Sequence, residues 1–465
     1  MHREGAIRFG GLRGRGRALQ LGARRSRRFN VESAEALDSL TPPAVRTLKR
    51  RKRRAPSGCR IDARGRKHFF RQALGLVSTA VAPRTRQRPT APALPAPTAT
   101  AVARLAAAPA RRTITALVPA LLEWFAASAR AMPWRQTHDP YAVWVSEIML
   151  QQTQVKTVIP YWERWMRDLP DVAALAGAPA AKVLKLWEGL GYYSRARNLH
   201  AAAQLIVEKF GGRFPHAFPE ILELPGIGRY TAGAIASIAY NQPAPILDGN
   251  VMRVLTRVFG IDGDPRGKAT NQQLWALATH LVEHAARTPD SAKTRACSQL
   301  NQSLMELGAL VCTPRQPACP VCPARKSCIA HRDQRTHELP ALAPRAATTA
   351  RRFVAFVITR AGRHLVQQRP SGGVNAGLWE FPNLELAAAA ALTDRVVLAT
   401  GRVVRPTTRL GSLTHSITRY RITVEIYRAE LWEDPPQPHE HWVSASELEE
   451  LALTSAHRKI VARMR

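Results

Sequence analysis

Four cysteines crowd into 17 residues, Cys312, Cys319, Cys322 and Cys328, at 6-2-5 spacing. Thiolates that close can converge on one centre if the chain between them stays irregular, and Pro314, Pro317, Pro320 and Pro323 block helix extension there. A [4Fe–4S] cluster or a structural Zn²⁺ would satisfy such a set. Arg315, Arg325 and Lys326 share the loop and could face a phosphate backbone; Cys59 and Cys297 stand apart. A second signal is Leu224-Pro225-Gly226-Ile227-Gly228-Arg229-Tyr230-Thr231-Ala232-Gly233. Its glycines permit a tight hairpin between two helices, and the N–H groups opening the second helix favour an anion. That is a way of gripping a DNA phosphate without reading sequence. Two carboxylates complete the inventory. Asp248, in PILDGN, reads alone as a helix N-cap, but its place 18 residues after Tyr230 makes it a candidate catalytic carboxylate returning beside the hairpin. Glu147 has Val143, Trp144, Leu150 and Gln151 as helical neighbours. On that largely apolar face its pKa would be raised, as a general acid requires. Taken alone, it reads rather as a helix-border residue on the solvent edge.

The elements that must hold these groups are helical. From Ile114 the chain is 3.6-periodic, and 141–310 carries YAVWVSEIMLQQTQVKTVIPYWERWM, AAKVLKLWEGL, SRARNLHAAAQLIVEKF, TAGAIASIAY, NVMRVLTRVF and QLNQSLMELGALV between short Pro/Gly loops. Residues 331–350 read as a linker. From 351 the period turns strand-like in RRFVAFVITR, RHLVQQRP and RYRITVEIYRAEL, with HWVSASELEE as a strand leading into a helix. The expectation is a mainly α region over 113–330 followed by a small α+β domain over 351–465.

Residues 1–112, Arg-, Ala- and Pro-rich with KRRKRR at 49–54, are expected to be disordered. Of the formal charge of +34, this segment holds 27 Lys+Arg against 5 Asp+Glu, a net +22, leaving +12 for the rest. The basic excess suits a polyanionic partner. No stretch has the length and apolarity of a membrane span, and the first twenty residues lack the apolar core of a secretory leader. Clustered rather than dispersed cysteines suit a metal or cluster site in a reducing compartment.

Together, PWRQTHDPYAVWVSEIMLQQTQV (133–155), GLGYYSRARNLH (189–200), LPGIGRYTAGAI (224–235), PILDGNV (245–251), LMELGALVC (304–312) and GLWEFPNLE (377–385) resemble the endonuclease III superfamily of helix-hairpin-helix DNA glycosylases. More narrowly they resemble the adenine DNA glycosylase (MutY) family. The resemblance spans about 113–465 and leaves 1–112 unexplained. It implies a six-helix barrel over about 136–245 and a cluster domain from 113–135 plus 246–330, with the four cysteines holding one [4Fe–4S] cluster. It implies a Nudix-like lesion-recognition domain at 351–465.

The resemblance also implies a mechanism. Adenine must leave the duplex to be reached. Glu147 then matches the acid that protonates its N7. Asp248 matches the carboxylate that stabilises the oxocarbenium-like sugar, a division of labour parallel to glycoside hydrolysis. Tyr230 matches a position that can bond to Asp248, and Asn250 one that helps place the water. Trp134, Arg135, Leu150 and Glu306 match positions near the adenine pocket. Gln151, Gln152 and Tyr192 match residues that wedge into the duplex, and the hairpin Leu224–Gly228 is expected on the DNA. Bifunctional relatives carry Lys at position 230, whose amine forms a Schiff base; Tyr230 cannot, so a monofunctional enzyme is expected. The C-terminal domain lacks the R-E-x-x-E-E metal set of a Nudix hydrolase, which makes it a reader of 8-oxoguanine opposite adenine. It departs from the frequent H-x-F-S-H segment, having His415-Ser416-Ile417-Thr418-Arg419, with Thr418 and Arg419 as the candidate lesion contacts. The expected partner is double-stranded DNA with adenine opposite 8-oxoguanine (or guanine), met by a monomer away from membranes. The expected location is the bacterial cytoplasm and nucleoid, or the nucleus or mitochondrion of a eukaryote. An endonuclease III-type glycosylase/lyase and a non-catalytic helix-hairpin-helix DNA-binding protein are the alternatives.

Overall fold

Asp139 and Pro140 start the helix around which the site is built. The Asp139 carboxylate accepts from the N–H groups of Tyr141 and Ala142, both at 3.2 Å, and Pro140 fills the first helical position. The helix, Pro140–Leu150, is buried from Tyr141 through Met149. Its apolar residues go all the way round, as a central helix requires. The computed structural model describes residues 108–344, 347–387, 390–417, 419–432 and 440–464. The basic segment up to 107 and Thr418 lie outside them.

In chain order the helices are α1 (Ala108–Ser128), α2 (Pro140–Leu150), α3 (Val155–Asp168), α4 (Val172–Gly177), α5 (Ala180–Leu186), α6 (Ser194–Phe210), α7 (Phe218–Glu223), α8 (Arg229–Ile238), α9 (Gly249–Val258), α10 (Lys268–Ala286), α11 (Ser291–Thr294), α12 (Ala296–Leu310) and α13 (Ile329–Arg332). They form two cores. One gathers Trp144, Trp165, Trp187 and Leu199 from α2 to α8. The other joins Leu117 and Leu121 of α1 to Val254, Leu277 and Leu304 of α9, α10 and α12. The chain thus leaves the second core after α1, builds the first, and returns at α9. Helix α1 starts at Ala108, a few residues inside the segment expected to be unstructured, where Ala-rich sequence favours helix.

The C-terminal domain is the expected small α+β unit. Its strands are β1 (Thr349–Arg360), β2 (Arg363–Gln368), β3 (Trp379–Glu380), β4 (Asn383–Leu386), β5 (Val396–Val397), β6 (Val403–Ile417), β7 (Tyr420–Leu431) and β8 (Glu440–Val443). They run in the order β3-β2-β1-β7-β6-β5, with β4 on β1 and β8 on β2. Strand β1 pairs parallel to β7, Phe353 opposite Val424, and antiparallel to β2 and β4. Its run Val354–Ile358 is buried throughout because alternate residues enter separate cores on the two faces. Helix α14 (Ala445–Glu450) opens with a Ser444–Glu447 capping box, and α15 (Ser455–Met464) covers one face.

This domain docks on the loop between α5 and α6. Glu188 there accepts from Arg458 Nε (2.8 Å) and Nη2 (3.1 Å), from Lys185 (3.0 Å) and from the Leu453 N–H (3.0 Å). Arg197 donates to Ala376 O at 2.9 Å, and Leu378 enters the helical core. Among the described residues no helix is long and apolar enough to cross a membrane.

Candidate active site

A cleft of about 1090 Å³ opens between the two helical cores. Glu147, two turns into α2, lines it while remaining only 5% exposed. Burial pushes its carboxyl up to about 7; the Tyr230 hydroxyl bond and Arg135 oppose the rise, and the nearby charge of Asp248 adds to it. The solvent-edge reading of Glu147 is therefore wrong, because α2 has no solvent edge at this turn.

Asp248 reaches the same cleft by backbone packing. Gly233 in α8 lies against Pro245 O, where a Cβ would stand 2.1 Å away, so only glycine lets this segment pass. Buried Asn301 pins it further, donating to Ala244 O and Ser237 Oγ at 2.8 Å each. Asp248 is then both things the sequence offered, the N-cap of α9 and a carboxylate on the cleft. Its Oδ1 accepts from the Val251 N–H at 2.7 Å and its Oδ2 from Asn250 Nδ2 at 3.0 Å. Burial raises its carboxyl above the usual range, and those two donors oppose the rise. Asn250 Oδ1 in turn accepts from Arg253 (2.8 Å), whose Nε donates to Cys312 O (2.8 Å).

Tyr230 corrects one expectation. Its hydroxyl donates to Glu147 Oε2 at 2.8 Å, with Met305 Sδ at 3.2 Å, and no bond to Asp248 is formed. Tyr230, at the start of α8, turns its hydroxyl to Glu147 on α2 instead. Trp134, Arg135, Leu150 and Glu306 all line the cleft. Glu306 is buried beneath a double guanidinium clamp: Arg130 at 2.7 and 2.6 Å, Arg135 at 3.3 and 3.1 Å. Burial alone would raise its carboxyl; the two arginines overcome this and hold it at about 2. Arg130 was not legible in the sequence, since nothing in the spacing of SARAMPWR marks one arginine as a partner of a residue 176 positions away.

Gln151, Gln152 and Tyr192 line the cleft mouth, and Tyr192 is 37% exposed. The hairpin divides. Gly226 and Gly228 lie on the cleft, but Leu224 and Ile227 are buried at 1% and 7% and Pro225 is off the lining. The expected DNA contacts of Leu224 and Ile227 therefore cannot be made by their side chains, which anchor the turn in the core. Gly226 needs its φ of +78°, and a Cβ there would meet Asn198 at 2.5 Å. Gly228 caps α8 without a side-chain acceptor. Next to it Arg229 stacks over Trp275 at 3.8 Å, a pair the sequence did not announce. Arg419 sits at the β6–β7 turn, donating to Tyr420 Oη at 3.2 Å, and is not on the cleft.

Cys312, Cys319, Cys322 and Cys328 line one small cavity with Val258, Leu307 and Arg257. Buried Arg257 donates to Cys312 Sγ at 3.4 Å and to the carbonyls of Thr313, Pro314 and Leu339 at 2.7–3.0 Å, fixing the irregular loop.

Residues 145–280 match the HhH-GPD superfamily of base excision DNA repair proteins, and 354–463 match the NUDIX domain. A rat adenine DNA glycosylase is 35% identical over 409 residues, covering 75% of this chain and 77% of that one. The human adenine DNA glycosylase is 34% identical over 411 residues, 75% of this chain and 73% of its own. A solved thermostable thymine-DNA glycosylase aligns over 48% of this chain and 98% of its own, at 28% identity and a TM-score of 0.42. With a relative this similar over so much of both chains, the protein belongs to the adenine DNA glycosylase family.

Proposed function

We propose that this DNA N-glycosylase extrudes adenine paired with 8-oxoguanine or guanine, cleaves its N-glycosidic bond and leaves an uncut abasic site. The observation that carries the reading is the pairing of two carboxylates in one cleft with their environments set apart. Glu147 is dry and protonatable near pH 7, and Asp248 is held by two donors. Glu147 gives its proton to the adenine N7, making the base a better leaving group. Asp248, as the anion, stabilises positive charge growing on the sugar. Asn250 bridges Asp248 to Arg253 and so fixes the carboxylate; it would also help to place the attacking water. Tyr230 donates to Glu147 and has no amine, so no Schiff base forms and the backbone stays intact.

Trp134, Arg135, Leu150 and Glu306 form the wall that would hold the extruded base, and Gln151, Gln152 and Tyr192 would occupy the gap it leaves in the duplex. The hairpin offers the backbone N–H groups of Gly226, Gly228 and Arg229 to a phosphate, that of Ile227 being spent on Leu224 O within the turn. Of the lesion-reading pair, Arg419 is at the tip of the β6–β7 hairpin, an accessible place for a contact with 8-oxoguanine.

The four cysteines would hold a [4Fe–4S] cluster. They line one shared cavity, and their 6-2-5 spacing is the one that the family resemblance assigns to such a cluster. Bound, the cluster would supply rigidity to the loop 312–328 and, through Cys312 O and Arg253, to Asn250 and Asp248. The proteins's working partner is then duplex DNA, met by a single chain wherever that DNA lies.

Duplexes pairing adenine with 8-oxoguanine, guanine or cytosine test the reading. Release of adenine is expected from the first two and slow release from the third, with strand breaks only after alkali. Scission before alkali, with an imine trapped by borohydride, would instead indicate the glycosylase/lyase alternative.

A further inference from the structure

Arg195, in the first turn of α6, is 8% exposed, and no carboxylate hydrogen-bonds it among the described residues. A buried cation without a counter-charge is costly unless dipoles replace the water it loses. Here five carbonyls do so for the two terminal nitrogens, while the buried Nε has no partner among the described residues. Nη1 donates to Ile148 O (2.8 Å), Met149 O (3.1 Å) and Gln151 O (2.6 Å), and Nη2 to Leu190 O and Gly191 O (3.1 Å each). The first two are the last-turn carbonyls of α2, its negative end, where a cation is favoured. The guanidinium also lies over the rings of Trp187 (5.1 Å) and Tyr192 (5.7 Å).

One side chain thus joins two segments more than 35 residues apart in sequence, the turn after α2 and the loop before α6. Both carry a non-glycine residue in the left-handed region, Gln152 at φ 56° and Tyr192 at φ 48°. Side chains rarely adopt that conformation unless the surroundings hold it. Both also place their side chains on the cleft mouth. We propose that Arg195 is a positioning residue that locks residues 151–152 and 190–192 into one preformed wedge, so that entering the duplex beside the extruded adenine requires no ordering of either loop. The inference rests on the proposed role of Gln151, Gln152 and Tyr192 in the duplex. It adds that their shape is set beforehand by a group that touches neither DNA nor the reacting atoms. A lysine cannot replace the fork, because its single ammonium cannot reach both sets of carbonyls in one plane.

The full chain, its Arg195→Lys, Arg195→Ala and Tyr192→Ala variants, and a duplex with 2-aminopurine beside an adenine·8-oxoguanine pair make the test. With 2′-fluoro-adenosine as the uncleavable adenosine, fluorescence at saturation reports unstacking. With ordinary adenosine, single-turnover excision at saturation and its pH profile are measured. Arg195→Lys and Arg195→Ala are expected to lose most of the fluorescence gain and about tenfold or more in rate, the scale of a misplaced positioning group. The pH at which excision declines should stay at the wild-type value, because Glu147 is untouched. If Arg195→Ala does not fold, Arg195→Lys, which keeps the charge and loses only the fork, decides alone. Wild-type fluorescence and rate in folded Arg195→Lys, with Tyr192→Ala impaired, would overturn the positioning role and spare the wedge. Wild-type behaviour in Tyr192→Ala as well would overturn the wedge itself.

Discussion

Replacing Glu147 with glutamine should slow excision severely and, at neutral pH, make the protein more stable. The wild-type carboxyl moves from an ordinary 4.5 to about 7, chiefly through burial. The folded state therefore holds this proton more tightly than the unfolded chain. Its stabilising effect is complete below pH 4.5 and is lost as the pH climbs to about 7. That interval is worth about 3 kcal/mol, since each pH unit corresponds to about 1.4 kcal/mol. Glutamine keeps the size and the acceptor for Tyr230 without the charge. Glu147→Gln should accordingly match wild type at about pH 4 and exceed it by about 3 kcal/mol at pH 8. Urea unfolding of both proteins, followed by tryptophan fluorescence at the two pH values, measures the difference directly. Excision in a single turnover should fall by about 10²–10⁴, the usual contribution of a general acid. The same pH dependence of stability in both proteins would refute the account of Glu147 as a dry, protonated acid, as would excision at the wild-type rate.

Three further outcomes follow from neighbouring contacts. Excision by wild type should decline as the pH rises through about 7, and Tyr230→Phe, which removes a donor to the ionised carboxylate, should move that decline upward by about one pH unit in a pH–rate profile. Arg135→Ala leaves Glu306 buried with half of its clamp and should cost about 3 kcal/mol or more in urea unfolding at pH 7. The loss should shrink as the pH falls from 4.5 toward 2, where the wild-type carboxylate takes up its proton. Cys322→Ser should lower bound iron and inorganic sulfide, measured chemically, and weaken excision through the loosened Cys312–Arg253–Asn250 chain.

Much of this was legible in the sequence, and the remainder has physical reasons for staying hidden. Helix α6 begins and ends where its periodicity does, at Ser194 and Phe210, because Gly211 in the left-handed conformation stops it. The apolar run from Tyr141 to Met166 reads as one helix but is two. It breaks at residues 151–154 without any Gly or Pro, since the break is held from outside by Arg195. Glu147 and Asp248 could be picked out by type and spacing, but their environments could not. A helix buried on all sides and a carboxylate sharing its oxygens with Asn250 and Val251 are products of packing. The Arg130–Glu306 and Glu188–Arg458 pairs link residues too far apart for any local pattern to announce.

The most direct test of the central claim is adenine release from an adenine·8-oxoguanine duplex under single-turnover conditions, by wild type and by Asp248→Asn. Asparagine preserves shape but removes the negative charge assigned to the sugar. Wild type should release adenine and leave an alkali-labile, unbroken strand, while Asp248→Asn should bind the duplex and lose at least about a hundredfold in rate. Release by Asp248→Asn at the wild-type rate would contradict the two-carboxylate mechanism.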